Sequence, residues 1–233
     1  MHKQGMERTI ENQTTCLCCG TCCIKGGPAL HQSDLPLIHE RRLALGDMIT
    51  IRQGEPVISP LTNSVEPARI ELIKLVGHND SWICHFFDKT KKTCGIYAHR
   101  PLECKLLKCW DSSSLTNIIY QHCLKREDIL QDDEELWELI SLQEEHCSFA
   151  KISQLSTKFA EVNDQTLLTE IAQIVTLDFR IRQKAVQKRS LSLASELLYF
   201  GRPLFKSLKF FQLTIKEDPF GVTVIPASFG TER

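Results

Sequence analysis

The sequence predicts an α+β fold: a small, irregular, cysteine-rich module of short strands and helices, followed by an α-helical C-terminal extension. Three features of the 233 residues point there. Nine of the eleven cysteines, and most of the Gly and Pro residues, precede residue 110. Between the turn signals of that half lie short runs with strand character. After residue 125 apolar residues recur at helical spacing. The chain divides accordingly into a tail (1–15), a cysteine-rich module (16–110) and a mainly helical region packed on it (125–233).

The elements follow in order. Turn signals stand at Gly26-Gly27-Pro28, Gly54-Glu55-Pro56, Ser59-Pro60 and Asn79-Asp80. Asp34 is placed to cap a helix over Leu35 to Leu45, with Pro36 confined to its first turn. Met48 to Arg52 and Ile70 to Val76 read as strands. Trp82 to Phe87 and Thr93 to Tyr97 flank the polar Asp88 to Lys92 as a hairpin would. In the second half, Leu136, Leu139, Ile140 and Gln143 share one helix face, and Leu168, Ile171, Val175 and Phe179 share another. Asp178 and Arg182 are spaced to pair across one turn. A further helix over Ser192 to Phe200 should stop at Gly201 and Pro203, and the tail returns to strand or coil around Val222 to Ile225.

Hydrophobic residues make up 42% and charged residues 24%, the profile of a globular chain. The net charge of −1 supplies no global field to recruit nucleic acid or a membrane. No run approaches the ~20 apolar residues of a membrane span. Met1 to Thr15 is polar and lacks the apolar centre of a signal peptide. A cytoplasmic location is therefore expected.

Charge is segregated within the second half. Glu127, Asp128, Asp132, Asp133, Glu134, Glu135 and Glu138 form an acidic stretch. Arg180, Arg182, Lys184, Lys188, Arg189, Arg202, Lys206 and Lys209 form a basic one. Two solvated helix faces explain both. Nucleic-acid binding, with Phe205, Phe210 and Phe211 stacking on bases, is the sharper but less favoured reading. A protein partner docking on the C-terminal helices fits the pattern as well.

The cysteines carry the chemistry. Their number is odd, five of them crowd between Cys16 and Cys23, and two pairs are immediate neighbours. Disulfide frameworks favour even, separated cysteines in small secreted chains, whereas clustered thiols in a reducing compartment hold metal. Cys16, Cys19 and Cys22 follow C-x2-C-x2-C, a spacing that presents sulfurs to one centre and suits zinc or the start of a ferredoxin cluster site. Gly20 sits where such a loop needs a positive φ. The C-x3-C-x2-C of radical S-adenosylmethionine sites is missing.

A second set comprises Cys84, Cys94, Cys104 and Cys109. The hairpin would place Cys84 and Cys94 on adjacent strands, and a helix begun by Pro101 would aim Cys104 back toward them. If that helix continued, Cys109 would lie about 140° around it from Cys104 and point away. Cys18 should point outward from its loop, and Cys123 and Cys147 fall in helical sequence as core or surface thiols. His85 and His99 are possible nitrogen ligands, although an ordinary surface or core role is the simpler account. Arg100 could offset thiolate charge or cap a backbone carbonyl.

In order, these pieces resemble the cysteine-cluster family (CxxCxxCC, YkgJ-like), described as zinc- or iron-chelating. Its C-x2-C-G-x-C-C is matched by Cys16, Cys19, Gly20, Cys22 and Cys23. Its C-P-F-L-D is approximated by Cys84, Phe86, Phe87 and Asp88, with His85 in place of the proline. Its C-x-I-Y-x-x-R-P-x-x-C-R is matched by Cys94, Ile96, Tyr97, Arg100, Pro101 and Cys104, with Lys105 in place of the last arginine. The resemblance spans about residues 16 to 109 and implies one metal shell drawn from Cys16, Cys19, Cys22, Cys23, Cys84, Cys94 and Cys104. Zinc or an iron–sulfur cluster is the implied occupant.

The expectation is a metal-chelating protein. An iron–sulfur-dependent enzyme is the competing class, because the resemblance extends weakly to bacterial flagellin lysine methylases. A metal-folded adaptor is the third. No phosphate loop, Ser–His–Asp set or H-E-x-x-H motif favours a hydrolase.

Overall fold

The computed structural model describes residues 14, 16, 19–78, 81–130, 133–189, 193–218 and 221–227. Cys18 and the expected turn at Asn79-Asp80 lie outside them, as does most of the tail. The first half contains helices α1 (Thr21–Lys25) and α2 (Leu35–His39), then strands β1 (Met48–Ile51), β2 (Pro56–Ile58), β3 (Val65–Pro67) and β4 (Leu72–Leu75). Strands β5 (Phe87–Asp88) and β6 (Thr93–Cys94) precede helices α3 (Leu102–Leu106), α4 (Ser113–Thr116) and α5 (Arg126–Ile129). The second half holds α6 (Glu134–His146), α7 (Phe149–Val162), α8 (Gln165–Arg189), α9 (Leu193–Phe200) and α10 (Leu204–Ser207), closed by β7 (Leu213–Asp218) and β8 (Gly221–Pro226). The class is α+β, as predicted. Among the described residues the strands pair two by two and antiparallel: β1 with β4, β2 with β3, β5 with β6, β7 with β8.

Three expectations change in detail. The helix after Asp34 stops at His39 instead of reaching Leu45, because the chain turns through a left-handed Arg41 (φ 57°). The predicted hairpin shrinks to Phe87–Asp88 against Thr93–Cys94, and Cys84 stands three residues before it. Asp88 builds the turn by accepting from the Thr90 and Lys91 amides at 2.8 and 2.9 Å. The β2–β3 hairpin, α7 and β7 were not foreseen.

The helical stripes are the core. Leu136, Leu139, Ile140 and Gln143 of α6 are buried, as are Leu168, Ile171 and Val175 of α8, while Phe179 is half-buried. They meet Leu30, Leu43, Met48, Ile73, Leu75 and Phe87 of the first half in one continuous apolar cluster. Each such side chain, fully buried, contributes roughly 1.5–3 kcal/mol. α9 ends at Gly201 (φ 66°) against the Thr50 carbonyl of β1, where a Cβ would be 3.1 Å from Cγ of Arg52.

Buried charge ties the halves together. Arg52 is 0% exposed and donates to both carboxylate oxygens of Glu144 at 2.9 Å and to the Cys147 carbonyl at 3.0 Å. Arg126 reaches the same Glu144 at 2.7 Å and Glu71 at 2.6 Å. Arg182 pairs with Asp178 at 3.0 Å and Glu196 at 2.9 Å, and donates to the Phe200 and Gly201 carbonyls. The basic stretch is therefore partly interior: Arg182 is buried and Arg202 lies 3.2 Å from buried Glu55. Phe205 stacks on Phe179, so it is packed and not displayed.

Candidate metal centre

The N-terminal cysteines are set by a tight turn into α1. Gly20 adopts φ 80°, and Ile24 N–H returns to its carbonyl at 2.9 Å. The ring of Phe87 lies where a Gly20 side chain would be. Gly20 thus answers two demands at once, the positive φ and the close approach of β5. The Cys84 amide donates to the Cys23 carbonyl at 2.8 Å, and this bond stitches α1 to the segment before the hairpin.

Cys84 and Cys94 line the same cavity without being cross-strand partners. Phe87 is the partner of Cys94, and a turn from the Cys84 carbonyl to the Phe87 amide (2.9 Å) folds Cys84 back toward it. Cys104 rides on α3, which follows Pro101 directly. That short helix is anchored from afar. Asp34, buried, accepts from the Leu102 amide at 2.8 Å and from the His31 amide at 3.0 Å. Glu103 accepts from the Ala29 amide at 2.8 Å and faces the His31 imidazole at 3.5 Å. That facing carboxylate raises the His31 pKa above its ordinary value despite burial. Asp34 is read from sequence as the cap of its own helix; its partner 68 residues away is invisible there.

All seven predicted cysteines line one cavity of about 190 Å³, and Cys109 lines it too. α3 ends at Leu106, so the helical geometry that would turn Cys109 away does not reach it. Leu75, Phe87, Ile96, Pro101, Leu107 and Leu115 complete an apolar wall. Burial first, then facing thiols, pushes Cys23 up to about 12 and raises Cys84 and Cys104. Such thiols keep their protons until a cation displaces them, so metal entry releases protons. Among the described residues, no three His, Cys, Asp or Glu side chains already close on a point as a single ion would require.

Positive groups sit at the rim. Arg100, Lys25 and Lys92 line the chamber. The Arg100 guanidinium lies over the Tyr97 ring at 3.8 Å and its Nε donates to the Tyr97 carbonyl at 3.0 Å. Both roles expected of Arg100, charge beside the thiols and a carbonyl cap, are compatible with this one position. Thr21 Oγ1 is 3.2 Å from Cys19 Sγ, a contact of the kind that tunes a sulfur ligand. His85 instead reaches Asp47 at 3.5 Å, and neither it nor His99 lines the cavity. Cys147 is in the core 3.6 Å from the Ile174 carbonyl, and Cys123 is buried against Ile51, Ala68 and Leu72.

A turn, a hairpin and a short helix thus build a thiol-walled chamber with cationic groups in its lining. Residues 15–130 match the CxxCxxCC family model, and that segment of the chain belongs to this family, described as a "putative zinc- or iron-chelating domain". No curated protein and no solved structure matches the chain. Among the described residues no helix is long and apolar enough to cross a membrane.

Proposed function

We propose that the chamber is an iron–sulfur site, and that the protein's role rests on holding such a group. One observation carries this reading: among the described residues, eight cysteines line a cavity of about 190 Å³, and no three metal-ligating side chains close on one point there. A lone zinc with Zn–S bonds of ~2.3 Å draws its four sulfurs to ~3.8 Å of each other and leaves no void between them. A polynuclear cluster brings its own bulk and takes more widely spaced thiolates.

The chain's residues serve such a group directly. Gly20 and α1 present the first sulfurs, and Asp34 and Glu103 hold α3 so that Cys104 keeps its aim. The apolar wall keeps the dielectric low, and Arg100 with the two lysines offsets thiolate charge. A bound cluster would supply one-electron redox chemistry or a structural clamp. Reduced thiols are what a cytoplasmic setting would maintain.

Anaerobic purification followed by iron, zinc and acid-labile sulfide analysis tests the reading. Iron and sulfide in matching amounts, with broad visible absorption bleached by dithionite, is the expected result. Zinc without sulfide would overturn it.

A further inference from the structure

We propose that the open mouth of the chamber is a docking surface for an acidic electron-carrier protein. The partner's redox role rests on the iron–sulfur reading; the docking itself rests on the shape and charge of the mouth.

Lining residues that are also exposed mark where the chamber opens. They are Cys16, Cys19, Lys25, Lys92, Tyr97 and Cys109. Three prospective sulfur ligands therefore stand at the surface, and a group held by them is within reach of whatever covers the mouth. A partner seated there gives up one electron from its reduced carrier to the held group. The carrier is oxidised by that one electron, and no bond is made or broken.

The charge around the mouth selects the partner. The segment 81–110, which bears Cys84, Cys94, Cys104 and Cys109, has six lysine and arginine residues and two acidic ones, in a chain of net charge −1. Both carboxylates are engaged within the fold. Asp88 accepts from the Thr90 and Lys91 amides, and Glu103 accepts from the Ala29 amide. Among the described residues, Glu103 is also the sole carboxylate in the lining. Lys89, Lys91, Lys105 and Lys108 are exposed but do not line the chamber, so offsetting thiolate charge does not account for them. Facing outward, they favour an acidic surface.

The apolar groups make that surface a protein. Tyr97 is 42% exposed and covered on one face by the Arg100 guanidinium at 3.8 Å, and Ile24, beside Lys25 on α1, is 52% exposed. Apolar anchors among rim charges are the anatomy of a protein interface. The net charge of −1 opposes a long nucleic-acid polyanion, whereas a folded acidic protein meets only the local patch.

The experiment uses the full chain, purified anaerobically, with its metal content measured. Labelled flavodoxin, an acidic flavin carrier, is the probe; cytochrome c, a basic carrier, and a single-stranded oligonucleotide are the comparisons. Binding is read by fluorescence anisotropy at about 10 mM and about 0.15 M salt, where the Debye length falls from about 30 to about 8 Å. Flavodoxin should bind and weaken about tenfold across that range, and cytochrome c should not bind. The double variant Lys89→Glu/Lys105→Glu should weaken flavodoxin binding about tenfold with metal per chain unchanged. Tyr97→Ala should weaken it about fivefold with the salt dependence unchanged, an effect that charge attraction alone does not produce. Lys184→Glu, at an exposed lysine of α8, should leave it as it is. Equal loss in Lys184→Glu, equal binding of cytochrome c, or tighter binding of the oligonucleotide than of flavodoxin would overturn the docking surface. Flavodoxin bound in the expected pattern by a zinc-loaded chain would uphold the docking while the iron–sulfur reading fell. Iron and sulfide in a chain that does not bind flavodoxin would do the reverse.

Discussion

Replacing Gly20 by alanine is the smallest change that should open the chamber. Two independent costs apply. Holding a residue with a Cβ at φ 80° costs about 1–2 kcal/mol. The new Cβ would also lie 2.5 Å from Cε2 and 3.1 Å from Cε1 of Phe87, and closer still to Cζ. Phe87 is 5% exposed and anchored in the core, so it has little room to yield, and overpacking of this kind costs about 1–3 kcal/mol. The sum, about 2–5 kcal/mol, bears on the arrangement that brings α1 to β5. At 1.4 kcal/mol per tenfold, metal affinity should fall from about 30-fold to a few thousand-fold. The assay is metal retained per chain after dialysis against a graded series of chelator concentrations. Gly95→Ala is the matched control, because its Cβ would meet only the Phe86 carbonyl at 3.5 Å, an ordinary contact. If Gly20→Ala retains metal as well as Gly95→Ala does, the steric reasoning about this turn is wrong.

Other consequences can be measured separately. Burial opposes the charge on Glu144, but Arg52 and Arg126 outweigh it and hold its pKa below the ordinary value. A depressed carboxyl pKa gives stability that is full above the unfolded value, near 4.3, and is lost as pH falls through the folded one. The Glu144 side chain is 36% exposed, so solvent screens part of its pairing; Glu144→Gln should lower stability by about 1–3 kcal/mol at pH 7, and urea titrations should show the gap to wild type closing below about pH 4. Asp34→Ala removes the acceptor of the Leu102 amide and should cost about 2–4 kcal/mol; metal retention should fall with it, although Asp34 touches no thiol in the chamber. After chelation, hydrogen exchange should show protection lost over residues 19–27 and 81–116 but kept in β1, β4 and helices α6 to α9, because those share one core; loss spread evenly over the chain would contradict this.

Local patterns in the chain were enough for some features and not for others. The 3.6-residue recurrence of Leu136, Leu139, Ile140 and Gln143 names a buried face because an isolated helix already places those side chains together. The C-x2-C-x2-C run, Gly20 and the Pro101 helix start were legible for the same reason: each is decided by backbone geometry within a few residues. The metal-binding class follows from the number and crowding of the cysteines. What lay beyond the sequence depends on contacts between distant segments. Cys109 joins the chamber only because α3 ends after five residues, and nothing in residues 102–109 announces that end. Asp34 holds α3 from 68 residues away, and Arg182, read as part of a basic face, is taken inside by Asp178, Glu196 and the carbonyls that end α9. A side chain's spacing says which neighbours on its own element it can meet. Which other element comes to it is decided when the apolar faces pack, and that packing gathered the thiols of three separate segments round one cavity.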